Sequence, residues 1–307
     1  MYKFNNIPIS EYGALPSPQN EYLALTGQFS LPKRKGKTEH NWGVEIEPYI
    51  EENDIELDGR TLTFSALIKA DEFTLKSKVE NFVNACLICK EISTDYDTFR
   101  VFCRDRIEVR EHGDFAIITA RFWQENVEMR CFTSLPPPVQ TQCFASLQID
   151  EYDLRRQFGI IISEKSSLES IAKRIESQTT EFYTKTQYRE LTTARIECAM
   201  IGSSVSDLYE KITQFQALLY KPELRLLKLP YNGQIYFANV YFKDGFTARI
   251  EHETIIRFSL NAVVVDFQRV NAWQKLRLTG NNLLRRISNG NLRIAKILNF
   301  KFEIKEL

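Results

Sequence analysis

Two stretches of the chain carry apolar residues on the same helical stripe. In the first, roughly Thr74 to Ile88, the apolar positions are Leu75, Val79, Phe82 and Cys86; in the second, roughly Ser206 to Tyr220, they are Leu208, Ile212, Phe215 and Leu219. Both sets follow i, i+4, i+7, i+11, which places side chains on one face of a helix with 3.6 residues per turn. The two sets are offset by a constant 133 residues. Thr74 and Ser206 are the expected N-caps, and Pro222 the expected stop of the second helix.

The flanks repeat as well. Thr61–Ile68 precedes the first helix and Thr193–Ile201 the second, each with partial period-two alternation that predicts a strand. Three strand candidates follow each helix: Phe99–Cys103, Ile107–Arg110 and Phe115–Trp123, then Leu224–Leu229, Gln234–Phe242 and Thr254–Phe267. His112-Gly113-Asp114, Asn232-Gly233 and Asp244-Gly245 separate them as turns. Tyr2–Ser10 opens the first unit and Tyr152–Ser163 the second, each followed by a long polar segment, about 11–60 and about 164–191.

The expected fold is therefore α+β: two tandem β-rich domains, each a split barrel or sandwich with one helix. The first spans 1–134 with its long loop at 11–60. A proline-containing linker follows at 135–149, marked by Leu135-Pro136-Pro137-Pro138-Val139, and three prolines in a row suit a semi-rigid extended spacer. The second domain spans 150–268. Residues 269–307 form a C-terminal extension read as one hairpin, Leu283–Ile287 with Leu292–Phe302, turning at Asn289-Gly290.

A length of 307 residues fits two domains, and 43% hydrophobic with 26% charged residues is globular composition. Forty Lys and Arg balance forty Asp and Glu, so the chain lacks the overall basic charge of a dedicated nucleic-acid binder. The six cysteines, Cys86, Cys89, Cys103, Cys131, Cys143 and Cys198, lie mostly among apolar residues, and no signal peptide precedes them; they read as free buried thiols. No apolar run approaches a membrane span.

Candidate chemistry is sparse. His40, His112 and His252 are far apart in sequence. Cys86-Leu-Ile-Cys89 has no second pair for a zinc ribbon and lies at the end of an amphipathic helix, where Cys86 belongs to the core stripe. Phosphate-loop, dinucleotide, nucleophile-elbow and zinc-protease motifs do not occur. The expectation is a non-enzymatic chain with no catalytic residue, cofactor or metal. Two charged runs remain: the basic Lys33-Arg34-Lys35-Gly36-Lys37, and the acidic residues around Glu51 and Glu52. Either run suits a subunit contact, the basic one meeting the acidic one of the next copy.

The order of a strand, a long polar loop with a basic cluster and then Trp42, a strand, one helix and a meander resembles the tail-tube-like domain of phage tail tubes, distal tail proteins and baseplate hubs. The residues carrying the resemblance are Leu31-Pro-Lys-Arg-Lys-Gly-Lys-Thr-Glu-His-Asn-Trp42, the strand Thr61–Ile68 and the helix at 74–88. It covers about residues 1–130, and 150–267 through the repeat. The chain looks most like a distal tail protein of long-tailed phages, a ring-forming adaptor between tail tube and baseplate. It departs from that pattern in repeating its first half, which is the arrangement of a hub.

The resemblance implies a structural protein of the virion tail, assembled in the host cytoplasm. Six tube-like domains, from a trimer or a hexamer, would close a homo-oligomeric ring, and the long loop would clasp the neighbour. Tail-tube and hub or baseplate proteins would be its partners, DNA only a passing cargo, with no membrane contact. Lys33, Arg34, Lys35, Lys37, Trp42, Glu51 and Glu52 are the subunit-interface candidates. The long loop, being polar, is expected to be disordered in an isolated chain. A stand-alone adhesin-like binding module using Tyr231, Tyr236 and Tyr241 is the alternative.

Overall fold

This computed structural model describes residues 1–18, 22–42, 46–70, 75–127, 135–139, 146–163, 167–178, 183–231, 234–268, 274–278, 281–288, 291–298 and 301–306. The chain is mostly β-sheet, with a sheet that curls into a half-barrel. The first half contains β1 (Lys3–Phe4), β2 (Ile7–Pro8), a 3-10 turn at Ile9–Tyr12, β3 (Ala14–Pro16), β4 (Leu25–Thr26), β5 (Glu39–Asn41) and β6 (Ile46–Pro48). It continues with β7 (Arg60–Lys69), α1 (Leu75–Leu87), β8 (Glu91–Ser93), β9 (Thr98–Arg100), β10 (Phe102–Cys103), β11 (Glu108–His112) and β12 (Phe115–Gln124).

β7 and β12 form the centre of this half. Leu62, Phe64, Ala66 and Ile68 are buried on one face of β7, and their register partners Phe122, Ala120, Ile118 and Ala116 are buried on β12. Alternation puts these residues on a single face, and the α1 stripe Val79, Phe82 and Cys86 covers it. Phe4 of β1 fills the gap, with ring centres 5.7 Å from Phe82, 5.2 Å from Phe64 and 5.7 Å from Phe122. Burying one such ring is worth about 1.5–3 kcal/mol.

The second half runs β13 (Gln148–Ile149), β14 (Tyr152–Asp153), α2 (Leu154–Phe158), β15 (Ile160–Ile162), β16 (Ser167–Gln178), β17 (Tyr183–Ile201) and α3 (Val205–Leu219). Then come β18 (Arg225–Tyr231), β19 (Gln234–Tyr241), β20 (Arg249–His252) and β21 (Ile255–Gln268). Ala194, Ile196, Cys198 and Met200 of β17 are buried opposite Ala262, Leu260, Phe258 and Ile256 of β21. Leu208, Ile212, Phe215 and Leu219 of α3 pack into the same core.

The pairing orders of the halves correspond. The path β2-β1-β8-β9 has its counterpart in β14-β13-β18-β19, and β10-β12-β7-β3 in β19-β21-β17-β15. In the second half β19 serves both paths, so nine strands join one sheet, whereas the first half breaks the equivalent strand into β9 and β10. The opening hairpins also agree. Both turn through two residues of positive φ, Asn5 and Asn6 at 48° and 67°, and Asp150 and Glu151 at 47° and 72°, the geometry of a primed hairpin turn. Gly13 (φ 70°) and Gly159 (φ 69°) then redirect the chain into β3 and β15.

Several expectations change. The N-cap of α3 is Ser204, whose Oγ accepts from the Asp207 amide at 3.1 Å, not Ser206; Thr74 lies outside the described residues. The strand expected at Phe99–Cys103 is two short strands, and β8 follows α1 as an unforeseen further strand pairing back to β1. Segment 164–191, read as a polar loop, supplies β16 and the first part of β17: a two-stranded ribbon pairs through its backbone and needs no apolar stripe. β13 lies inside the stretch assigned to the linker, and Leu147 and Ile149 are buried, so the second half begins earlier than residue 150. The C-terminal extension is a four-stranded meander of β22 (Gln274–Leu278), β23 (Asn281–Ser288), β24 (Asn291–Leu298) and β25 (Lys301–Glu306), twice the single hairpin expected. Asn289-Gly290, like Asn232-Gly233, falls outside the described residues. Among the described residues no helix is long and apolar enough to cross a membrane.

Candidate subunit-contact surface: the arm at residues 22–59

The arm leaves the first sheet at β4, which pairs with Phe64 and Thr63 of β7. At Gly27 (φ 90°) it passes so close to β7 that an added Cβ would stand 2.2 Å from the Thr61 carbonyl oxygen, so glycine is required there. It then crosses to the second half. Phe29 and Leu31 are buried, and Leu31 exchanges both backbone hydrogen bonds with Phe246 at 2.9 Å. The Ala248 amide donates to Ser30 Oγ at 3.0 Å, and the Arg34 amide to the Lys243 carbonyl at 2.7 Å. α3 reaches up to it: Gln216 Nε2 donates to the Phe29 carbonyl at 3.1 Å and the Tyr220 hydroxyl to the Pro32 carbonyl at 2.9 Å.

Arg60, at the start of β7, clamps the arm from the other side. Its buried guanidinium donates to the Gln28 carbonyl (2.7 Å), the Ser30 carbonyl (2.9 Å) and Gln124 Oε1 (2.8 Å). Tyr209 of α3 completes the junction, its hydroxyl donating to Asp97 and its ring 6.2 Å from Phe29 and 5.8 Å from Phe99. The arm is thus ordered on the second half, in contrast to the expectation of disorder. Composition missed this because its polar residues bond through carbonyls that any residue possesses.

Further out, β5 and β6 form a small hairpin. Glu39 anchors it to the second half, accepting from Lys243 Nζ at 2.7 Å and from the Tyr241 hydroxyl at 3.1 Å. Burial pushes the Glu39 carboxyl up, but the bonds from Lys243, Thr38 and Tyr241 outweigh it and hold the carboxyl below its ordinary value of 4.5. A depressed folded pKa stabilises the fold above the unfolded pKa, and that contribution disappears as pH falls through the folded value. Acidification through that lowered value should therefore free the hairpin. Amide exchange at residues 39–41 should rise there in the native chain and should already be high at neutral pH in Glu39→Gln; equal protection at pH 7 and pH 3 would refute the anchor.

The interface candidates do not form one surface. Arg34 is only 5% exposed and turns inward, donating to the carbonyls of Tyr49 and Asp54, the latter at 3.0 Å; it closes the arm on itself and is not a surface contact. Lys33 and Lys35 are exposed but pair within the chain, with Asp58 at 3.9 Å and Glu56 at 3.1 Å. Exposed pairs of this kind are worth about 0–1 kcal/mol, so a neighbour can displace them. Lys37 lies 2.9 Å from His40 Nδ1. Trp42 is 66% exposed beside the β5–β6 hairpin, its ring 4.1 Å from His40 and its Nε1 donating to Glu47 at 2.9 Å. Glu51 and Glu52 are exposed at a short 3-10 turn, where the Glu51 amide donates to Asp54.

No family model matches this chain, and no curated protein or solved structure is significantly similar to it.

The remaining candidate chemistry is buried or scattered. Burial pushes the Cys86 thiol up, and the Cys89 and Cys198 thiols to about 12, so at neutral pH all three are protonated core groups. Among the described residues no three His, Cys, Asp or Glu side chains are grouped as metal ligands would be. Tyr241, a candidate for a binding groove, is buried against Glu39 and unavailable for that role; the side chains of Tyr231 and Tyr236 fall outside the described residues. An open groove of about 920 Å³ runs between the arm and the first sheet, floored by Phe102 and Trp123 and rimmed by Glu56, Asp58 and Arg104. Arg104 lies over the Trp123 ring at 4.7 Å. The sequence signal for Arg60 was available, since the alternation Leu62, Phe64, Ala66 extrapolates inward to residue 60. Gln216, Tyr220 and Glu39 carried no comparable signal.

Proposed function

We propose that this chain is a structural, ring-forming component of a phage-type tail: two tube-like units in tandem, acting as a distal tail or tail-tip adaptor between the tail tube and a hub or baseplate. The matched pairing order of the two halves, joined by an arm from one laid over the helix of the other, carries this reading. A unit that clasps its successor is the element from which a closed head-to-tail ring is made.

The exposed strand edges support it. From Thr192 on, β17 pairs with β21, but among the described residues Tyr183–Arg189 pairs only with Ala172–Gln178 of β16. With nineteen residues, β17 is about 60 Å long at roughly 3.3 Å per residue, and its outer part is a two-stranded ribbon. Such a ribbon is marginal alone in water, and ring closure removes unpaired edges. β11 adds a second open edge, with all five residues exposed. A free binding domain gains nothing from either feature.

Native mass spectrometry with negative-stain imaging of the purified chain tests the reading. The expected outcome is a closed ring of three or six chains with a central hole. A chain that stays monomeric at tens of micromolar would overturn it.

A further inference from the structure

We infer that the exposed C-terminal end of α1, around Val83, Leu87 and Ile88, is the docking site for the β16–β17 hairpin of a second copy of this chain; the inference rests on the ring reading above and gives its inter-chain contact.

The starting point is a difference between two matched helices. With the 133-residue offset of their stripes, Val83 corresponds to Gln216, Leu87 to Tyr220 and Ile88 to Lys221. Both helices bury the stripe that faces their own sheet. α3 buries a second face as well: residues 215–220 are buried without exception, and the arm lies on Gln216 and Tyr220 through the carbonyls of Phe29 and Pro32. Among the described residues no segment covers α1 in this way. Leu87 is 56% and Ile88 69% exposed, and Val83 is half-buried. Ile7 of β2 is exposed on the adjoining hairpin, where Asn5 Nδ2 donates to the Ile88 carbonyl at 3.2 Å. Leu87 stands in water where its match Tyr220 is covered, and Ile88 adds a second large apolar side chain where the exposed Lys221 stands on α3, so this helix end is an unfilled contact.

The chain also holds an unused counterpart of the arm. The arm is inserted between β3 and β7; in the second half the insertion between β15 and β17 is β16 with its hairpin. β16 makes no extensive contact with any described element except β17. Among the mostly polar residues of its sequence are Leu168, Ile171 and Ile175. Within one chain the insertion of the first half covers the helix of the second. Repeating the operation, the insertion of the second half must cover the helix of a following first half, and that first half belongs to another copy. The contact is heterologous and closes after a fixed number of copies. Because both halves then lie in one ring, three chains supply six units.

Two measurements test this. The double variant Leu87→Glu with Ile88→Glu should melt within a few degrees of the native chain, since both side chains are exposed, while the concentration needed for half-assembly rises at least about tenfold. A photo-reactive benzoylphenylalanine at position 88, in assemblies mixed from light and 15N-labelled chains, should cross-link to peptides from 167–189 in pairs of mixed isotope. Unchanged ring formation by the double variant, or cross-links confined to one chain or to other segments, would overturn the docking site and leave the ring reading standing. A native chain that never assembles would remove both.

Discussion

Replacing Arg60 by leucine should cost about 3–5 kcal/mol of stability and release the arm from the second half. The guanidinium is buried at the start of β7 and bonds two arm carbonyls and Gln124 Oε1. Burial lowers its pKa, yet arginine stays charged throughout the accessible range, so the fold carries a buried cation satisfied mainly by carbonyl oxygens. Leucine removes the cation but leaves the carbonyls of Gln28 and Ser30 and the Gln124 oxygen facing an apolar side chain. Each orphaned buried acceptor costs about 1–3 kcal/mol. Lysine should recover only part of the loss, because a point-like ammonium cannot serve three acceptors in the planar fork geometry of arginine. Chemical denaturation gives the total, and amide exchange across residues 28–34 should accelerate before the sheets open. A loss below 1 kcal/mol, or arm amides as protected as in the native chain, would show that Arg60 is not the clamp.

Truncation of Phe215 to alanine should have an effect of similar size by another route. The side chain is fully buried on α3, with ring centres 5.6 Å from Phe158 and 5.9 Å from Phe258. It therefore joins three elements, α3, α2 and β21. Phenylalanine-to-alanine changes in cores cost about 3–5 kcal/mol, combining lost transfer energy with the cavity left behind. The matched residue, Phe82, is also fully buried and stacks on Phe4, so Phe82→Ala should cost about as much. The halves share one contiguous core that runs through Phe29, Tyr209 and Phe246, so both variants should unfold in a single transition with a lowered midpoint. A variant that melts one half and spares the other would show the halves to be independent.

These two effects separate what each level of description supplies. The helix stripes were legible because a buried face imposes a period on a local segment, and Val79, Phe82 and Cys86 in α1, like Leu208, Ile212, Phe215 and Leu219 in α3, are buried where the period puts them. Strands β7, β12, β17, β19 and β21 were legible for the same reason, with boundaries shifted by a few residues and, at β17, by ten. β8 and β13 were not, because a strand of two or three residues cannot display a period; the single opening strand read at Tyr2–Ser10 is the short hairpin of β1 and β2. The ribbon at 167–189 was read as a loop because both of its faces are polar enough to hide the alternation. At the candidate surface, Trp42, Lys33, Lys37, Glu51 and Glu52 were visible as an exposed aromatic and charged runs, whereas Arg34 turned out to be internal.

The sequence by itself determined the class of the protein: a β-rich chain with two matching helix-bearing segments, balanced in charge and poor in catalytic groupings. Only the tertiary structure decided how the segments meet. It laid the polar arm across α3, drew Arg60 and Arg34 inside, buried Tyr241 against Glu39 and left Leu87 and Ile88 uncovered on the matching helix. The reason is physical. Hydrophobic period records which face of a local element is shielded from water, and every residue contributes to it through its side chain. The contacts of the arm are made largely by backbone carbonyls, which are the same at every position, and their partners lie up to about two hundred residues away, so nothing in the local pattern distinguishes the carbonyls that are taken from those that are free.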